Sequence, residues 1–283
     1  MFTQASYWAF RDGFSGRRSI VEAMRLAREA GFDGLELAVS EEGELTPDTP
    51  AAECRRLARE AARLGVRLGS VATGLFWSAN PASEDPAVRA RAIEIGRKSL
   101  AVTAALRVRH LLVLPGHVDV FFDPKAEVVP YGICYKRALR FCRVLARAGA
   151  RTGVTVCVEN VWNKFLLSPL EFRRFIAEVA SPRVGVYFDI GNVWQYGYPQ
   201  HWIKVLGRRI RRVHVKDFKR SVGTADGFCQ LGDGDVPLAE SLAMLAKLGY
   251  KGPVTAEVFA GPADTDEAAF LHTTAERLKK IMP

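Results

Sequence analysis

Glu159, Asp189, His214 and Glu257 are the residues whose types and setting in this chain point to chemistry. Three of them close the short runs Val156-Cys157-Val158, Val186-Tyr187-Phe188 and Val254-Thr255-Ala256, and His214 sits in a fourth, Val213-His214-Val215. Runs of that composition read as β-strands, and successive side chains on a strand face opposite ways. His214 and Glu257 therefore point away from Val213, Val215, Val254, Ala256 and Val258. The apolar set can pack against helices while the polar residues point into a barrel interior or its mouth. Three carboxylates and one imidazole from four successive strands make a mixed oxygen and nitrogen donor set, suited to one divalent ion such as Mn²⁺, Mg²⁺, Co²⁺ or Zn²⁺. One polar strand end would mean little. Four in series outweigh the ordinary readings of a paired buried carboxylate, a turn-capping Asp and a structural His.

Several other residues are candidates for substrate contact. Lys216 falls on the same side as His214, where it either meets a substrate or pairs with an acid. The surrounding acids would hold it protonated, which argues against a Schiff-base role. Arg220 reads as an anchor for a hydroxyl or phosphate. Glu36 either touches substrate or makes a structural pair. Trp77 and Trp8 either form an apolar wall over the substrate or pack in the core. His117 and Asn163 complete the candidate contacts, and Cys157, on Glu159's strand face, reads as packing inside a barrel rather than as a nucleophile.

The elements that must position these residues alternate short strand and longer helix, the pattern of parallel β/α units. Strands are expected within 2–10, at 32–37, 66–71 and 110–114, then after Gly153, near Val184, near Ile210 and after Pro253. Helices are expected over about 17–31, from Pro50 to Gly65, and over 86–106, 131–151 and 168–180. Three more follow Pro199 or cover about 238–248 and 265–281. Eight strands and eight helices predict a (β/α)₈ TIM barrel, one domain over residues 1–283. Active sites of such barrels lie at the C-terminal strand ends. All four proposed ligands fall there, as do Glu36 and two long loops at 73–85 and 115–129.

Composition sets bounds. The 283 residues, 48% hydrophobic, suit a single barrel with a sizeable core. No apolar run approaches the roughly 20 residues that cross a bilayer, and the first residues lack the basic-then-apolar order of a secretory signal. Five cysteines without CxxC spacing predict a reduced cytoplasmic protein with no zinc finger. The net charge of +9 lies largely on helix-like segments such as Arg55-Arg56-Leu57-Ala58-Arg59. It reads as a basic solvated face that attracts phosphorylated metabolites, with no nucleic-acid or membrane partner expected.

At these motifs the chain resembles the xylose isomerase-like barrel superfamily of sugar and sugar-phosphate isomerases and epimerases. Within it the chain is most similar to the ketose 3-epimerases, including the L-xylulose (L-ribulose) 5-phosphate 3-epimerases. The resemblance covers essentially the whole barrel and is densest from Val156 to Phe259. It implies that Glu159, Asp189, His214 and Glu257 bind one divalent metal ion, and that Arg220, six residues after the metal histidine, contacts substrate. Asp189-Ile190-Gly191-Asn192-Val193 resembles the sugar-phosphate branch, with Asn192 where free-sugar enzymes usually carry His; this adds Asn192 to the substrate contacts. Gly232-Asp233-Gly234-Asp235-Val236 resembles the family's loop before the seventh helix, with no metal role implied.

The implied reaction is proton transfer at a carbon next to a carbonyl, on a small-molecule sugar or sugar phosphate. A metal ion chelating O2 and O3 of a ketose polarises the carbonyl and stabilises an enediolate. One glutamate takes the C3 proton and the other returns a proton to the opposite face. An aldose–ketose isomerase, or a dehydratase of the inosose or shikimate type, would use the same parts. An endonuclease IV-like nuclease, whose trinuclear zinc cluster needs several histidines, fits poorly: the chain has five, and only His214 lies on a metal-bearing strand. A metal-free binding barrel is the remaining reading. A homodimer or homotetramer stays open.

Overall fold

The computed structural model describes residues 1–260 and 264–283. The chain begins with strand β1 (Phe2–Ser6), helix α1 (Ile20–Glu29), β2 (Gly34–Val39), α2 (Ala51–Arg63), β3 (Val71–Thr73), α3 (Pro86–Ala105) and β4 (His110–Val113). It continues with α4 (Tyr131–Thr152), β5 (Thr155–Glu159), α5 (Pro169–Val179), β6 (Val184–Asp189), the one-turn α6 (Ile190–Val193), α7 (Pro199–Leu206) and β7 (Ile210–Val215). A small hairpin, β8 (Asp217–Phe218) and β9 (Phe228–Cys229), precedes α8 (Leu238–Lys247), β10 (Pro253–Ala256) and α9 (Glu267–Ile281).

Eight of the strands close a parallel barrel in the order β1-β10-β7-β6-β5-β4-β3-β2, and the longer helices pack around it. This is the predicted (β/α)₈ barrel. Local chemistry starts and stops its elements. Asp85 and Ser168 cap α3 and α5 through bonds to Ala87 N–H and Glu171 N–H, each followed by Pro at the first helical position. Gly153, at φ 76°, ends α4 in the left-handed conformation that favours glycine. On α2, Cys54, Leu57 and Ala61 face the core at helical spacing, leaving Arg55 and Arg59 in solvent.

The apolar packing has two layers. The larger lies between strands and helices, and includes Val156, Val158, Val186, Phe188, Val213 and Val215. A smaller cluster of Ala72, Leu112, Cys157 and Tyr187 fills the barrel interior, with Trp8 above it. The alternation along β5 therefore sends Val156 and Val158 outward and Cys157 and Glu159 inward. Complete burial pushes the Cys157 thiol up to about 12, leaving it an inert packing group.

Two local expectations need correction. The third strand occupies 71–73 instead of 66–71, with only an isolated bridge between Arg67 and Gly34 before it. Side chains take the backbone groups that a ladder would have used: Gly69 N–H donates to Gln4 Oε1 at 2.9 Å, and Arg212 Nε donates to Gly69 O at 2.9 Å. The β8–β9 hairpin was not expected at all. Its anchor is Asp217, whose carboxylate accepts the N–H groups of Phe218, Gly232, Gly234 and Val236. A Cβ at Gly234 would lie 2.2 Å from Asp217 Oδ1, so the Gly-Asp-Gly-Asp stretch serves to wrap this carboxylate.

Candidate metal centre

Strand register brings the four proposed ligands together. Asp189 pairs with His214 across β6 and β7, and His214 pairs with Thr255, two residues before Glu257, across β7 and β10. Glu159 pairs with Tyr187, which places it one strand further round. One donor atom from each of Glu159, Asp189, His214 and Glu257 lies within 4.8 Å of the others, and all four residues are buried. Bonds of about 2.0–2.6 Å to one ion put opposed ligands roughly 4–5 Å apart, so the cluster has the right span. Glu159 and Glu257 retain 6% and 7% exposure whereas Asp189 and His214 retain none. Only the two glutamates are therefore open to a substrate.

The imidazole is held from behind. His214 Nε2 lies 2.7 Å from Glu36 Oε1, while Nδ1 faces Glu159 Oε1 at 3.4 Å and Glu257 Oε2 at 3.6 Å. In the neutral ring, a proton on Nε2 shared with Glu36 would free the Nδ1 lone pair for an ion among the carboxylates. Glu36 is fixed in turn by Ser70 Oγ at 2.5 Å and by the Tyr187 hydroxyl. Asn160 clamps Asp189, accepting its N–H at 2.9 Å and donating to its carbonyl at 2.8 Å. Glu36, fully buried below His214, is placed to position that ring, the structural pairing weighed against substrate contact from sequence. Glu36→Gln is expected to weaken divalent-metal affinity by about 10–100-fold while the barrel stays folded. A metal titration giving unchanged affinity would remove Glu36 from that role.

Lys216 is the cation within the cluster. Its ammonium donates to Glu257 Oε2 and stands 3.1 Å from Asp189 Oδ2. That oxygen nonetheless receives no well-formed hydrogen bond and is a buried acceptor without one. The lysine stem reaches this position because residue 191 is glycine; a Cβ there would lie 2.5 Å from Lys216 Cγ. A positive group already stabilised by Asp189 and Glu257, an acceptor left over, and three carboxylates with one imidazole nitrogen are together what a divalent ion needs. The residues present fit one.

The charges are strongly interdependent. Burial, reinforced by Glu257 and Asp189, pushes the Glu159 carboxyl up to about 7 against the pull of His214. Burial would raise Glu257 as well, but Lys216 and His214 outweigh it and hold Glu257 below the ordinary value. For His214, burial opposes the charge, yet Glu36, Glu257 and Glu159 overcome it and raise the imidazole well above 6.5. Both Glu159 and His214 therefore hold protons below pH 7, and a metal ion must expel them. Mn²⁺ affinity is expected to rise with pH between 5 and 7, by about tenfold per unit for each proton displaced. Calorimetry in buffers of different ionisation enthalpy would read the released protons; a pH-independent affinity with no release would contradict this.

A cavity of about 270 Å³ opens above the two glutamates. Trp77, Trp8, Asn192 and Lys216 line it, as do Phe14, Trp162, Phe228 and Phe259. An aromatic chain runs along one rim, from Trp77 to Phe122 (centroids 5.3 Å), Phe121 (5.2 Å), Trp162 (6.0 Å) and Phe228 (5.0 Å). Asn192 is fixed by its bond to Asn160 O, and Trp162 by its bond to Asn192 O. Besides Glu36, three sequence candidates for substrate contact do not line this cavity. His117 is buried with Nε2 near Trp77 O at 3.3 Å and Nδ1 near Asn80. Asn163 spends its side chain on Gly116 O and Phe165 N–H. Both are loop braces. Arg220 lies exposed, its guanidinium 4.7 Å above the Trp194 ring, outside the cavity wall. Sequence reasoning missed Asn160, Tyr187, Phe14 and the Phe121-Phe122 pair. Asn160 directly after Glu159, and Tyr187 two residues before Asp189 on the same strand face, were available signals.

Comparison with known proteins agrees with this architecture. The xylose isomerase-like TIM barrel family matches residues 24–279. The putative L-ribulose-5-phosphate 3-epimerase SgbU of Escherichia coli (strain K12) is 29% identical over 248 residues, 84% of this chain and 83% of that protein. The L-ribulose-5-phosphate 3-epimerase UlaE of Shigella flexneri serotype 5b is 28% identical over 266 residues, 93% of this chain and 89% of that protein. A solved D-psicose 3-epimerase from Clostridium cellulolyticum H10, with D-tagatose, shares the fold at a TM-score of 0.83 and 20% identity, covering 99% of this chain and 98% of that one. Among the described residues no helix is long and apolar enough to cross a membrane. With a closed eight-stranded parallel barrel, the carboxylate–imidazole cluster at its C-terminal mouth and a family match over nearly the whole chain, this protein belongs to the xylose isomerase-like TIM barrel family.

Proposed function

We propose that the protein is a divalent-metal-dependent 3-epimerase of a ketose or ketose phosphate. The observation that carries this reading is the pair Glu159 and Glu257: they come from β5 and from the loop just after β10, strands three apart in the barrel, and both line the cavity above the sealed Asp189 and His214. Glu159, Asp189, His214 and Glu257 would hold one ion, with Mn²⁺ the first to test. When bound, that ion supplies Lewis-acid polarisation of the substrate carbonyl, which acidifies the neighbouring C–H.

The chain's own residues do the rest. One glutamate accepts the C3 proton and the other delivers a proton to the opposite face, so the configuration at C3 inverts. Asn192 and Lys216 present polar groups to the substrate, and Trp8, Trp77 and Trp162 cover its C–H face and keep water out. The relatives named for L-ribulose 5-phosphate make that ester the first substrate to test, alongside free ketoses. Lys216 is the one cation on the cavity wall among the described residues, and Glu257 and Asp189 already engage it. Arg220 on the adjoining loop is thus the proposed phosphate anchor. The five cysteines carry no disulfide, which supports a reducing, cytoplasmic setting.

Metal-loaded protein incubated with ketoses and their 5-phosphates, followed by NMR of the products, tests the reading. C3 epimers are expected; aldoses or dehydrated products would assign the isomerase or dehydratase reaction instead. Arg220→Ala should raise KM about tenfold or more for a ketose phosphate and leave the free ketose nearly unchanged. Equal effects on both would deny Arg220 the anchoring role.

A further inference from the structure

The opposite end of the barrel carries a second cavity, of about 400 Å³, within the size range of small-molecule sites. Arg208, Arg211, Arg212, Lys251, His110 and Tyr250 lie on its wall, and no acidic residue does. None of the four cationic side chains has a carboxylate within 4 Å among the described residues. The +9 charge of the chain is therefore locally uncompensated here.

The cavity is built around Arg212, which is held in place. Arg212 points into the barrel bottom and is half-buried. Its guanidinium bonds neutral groups: Gly69 O at 2.9 Å, Arg211 O at 2.6 Å, His110 Nδ1 at 2.5 Å and the Tyr250 hydroxyl. A half-buried guanidinium without an anion is costly. Burial, with Arg212, Arg211 and Arg109 nearby, drives His110 down to about 3, so at physiological pH the ring is neutral and accepts from Arg212. Arg211 sits where the β6–β7 register slips: Val186 pairs with Ile210 and Tyr187 with Arg212, so Arg211 is the extra residue of a bulge. Bulges re-aim side chains. The stem of Arg211 then crosses Gly185, where a Cβ would lie 2.4 Å from Arg211 Cγ.

We propose that this N-terminal mouth of the barrel binds a compact polyanion of the phosphate class, either an inorganic polyphosphate or a small molecule bearing two or more phosphoryl groups. The Arg212 guanidinium, held by two backbone carbonyls and His110, and the Arg211 side chain, whose stem lies against Gly185, join Arg208 and Lys251 in supplying charge-assisted donors to phosphoryl oxygens. Leu245, Leu248 and Tyr250 add an apolar side to the same cavity, against which an organic portion would rest. The metal cluster lies at the other strand ends, so this site stands or falls independently of the epimerase reading.

Calorimetric titration of the full chain at 0.15 M salt with inorganic tripolyphosphate, and separately with ATP, tests the proposal. One saturable site per chain is expected. The Arg208→Ala/Arg211→Ala/Lys251→Ala triple variant should weaken it on the order of tenfold or more for each cation lost. A charge-matched control, Arg55→Ala/Arg59→Ala/Arg147→Ala on the outer helices, should bind as wild type does. ATP binding more tightly than tripolyphosphate would assign an organic phosphate; the reverse would assign an inorganic one. Absence of saturable binding by both probes, unchanged binding in the first triple variant, or equal loss in the control would each overturn the proposal. Mn²⁺ content of the first triple variant, measured before any phosphate is added, should match that of the wild-type chain.

Discussion

Asp189→Asn and His214→Ala protein, dialysed against Mn²⁺ and then against buffer, is expected to retain almost no metal, while the wild-type chain retains about one ion. Residues that only support a ligand typically cost 10–100-fold in affinity when altered, and removing a ligand should cost more. Asp189 is the sharper case. It is fully buried, clamped by Asn160, and its Oδ2 has no well-formed hydrogen bond. The Asn amide keeps the shape, but it brings a neutral group next to Lys216 where a carboxylate stood. In His214→Ala the nitrogen donor is gone and Glu36 loses its partner, so both metal content and stability are expected to fall. Circular dichroism beside elemental analysis would separate the two effects. Variants that load as wild type does would dismiss the site.

The second large effect concerns Glu159 and Glu257. Changing each to Gln is expected to lower turnover by about 10²–10⁴-fold, the contribution usual for positioned acid–base groups, with the barrel intact. Gln fills the same space but cannot accept a carbon-bound proton. One variant should still exchange the C3 hydrogen of one epimer with solvent without inverting the centre, because its surviving carboxylate serves one face. Normal turnover in both would mean that neither glutamate handles the proton.

Much of this site was legible in the sequence for a physical reason. A polar residue at the end of an apolar run marks an inward-facing group at the barrel mouth, as at Glu159, Asp189 and Glu257, and alternation at period two marks His214 between Val213 and Val215. Depth within the barrel was not legible, because it depends on stagger between strands that are far apart in the chain. Glu36 faces inward as expected but lies below His214, where it meets Ser70 and Tyr187 rather than a substrate. His117 and Asn163 had the right residue types on the right loops, yet their hydrogen bonds go to neighbouring backbone. Beyond Trp8 and Trp77, the aromatic rim escaped notice because Phe14, Phe121, Trp162 and Phe228 come from separate segments that only the closed barrel brings together. The β8–β9 hairpin has two-residue strands, too short for any periodicity, and depends on Asp217 gathering three distant amides besides that of the adjacent Phe218.

The central claim, proton transfer at C3 between two carboxylates, is tested most directly by running the metal-loaded wild-type enzyme in D₂O with L-ribulose 5-phosphate and with a free ketose. Deuterium at C3 of the epimerised product, with C1 unlabelled, is the predicted result. Label at C1 or C2, or inversion at C3 without any deuterium, would contradict it.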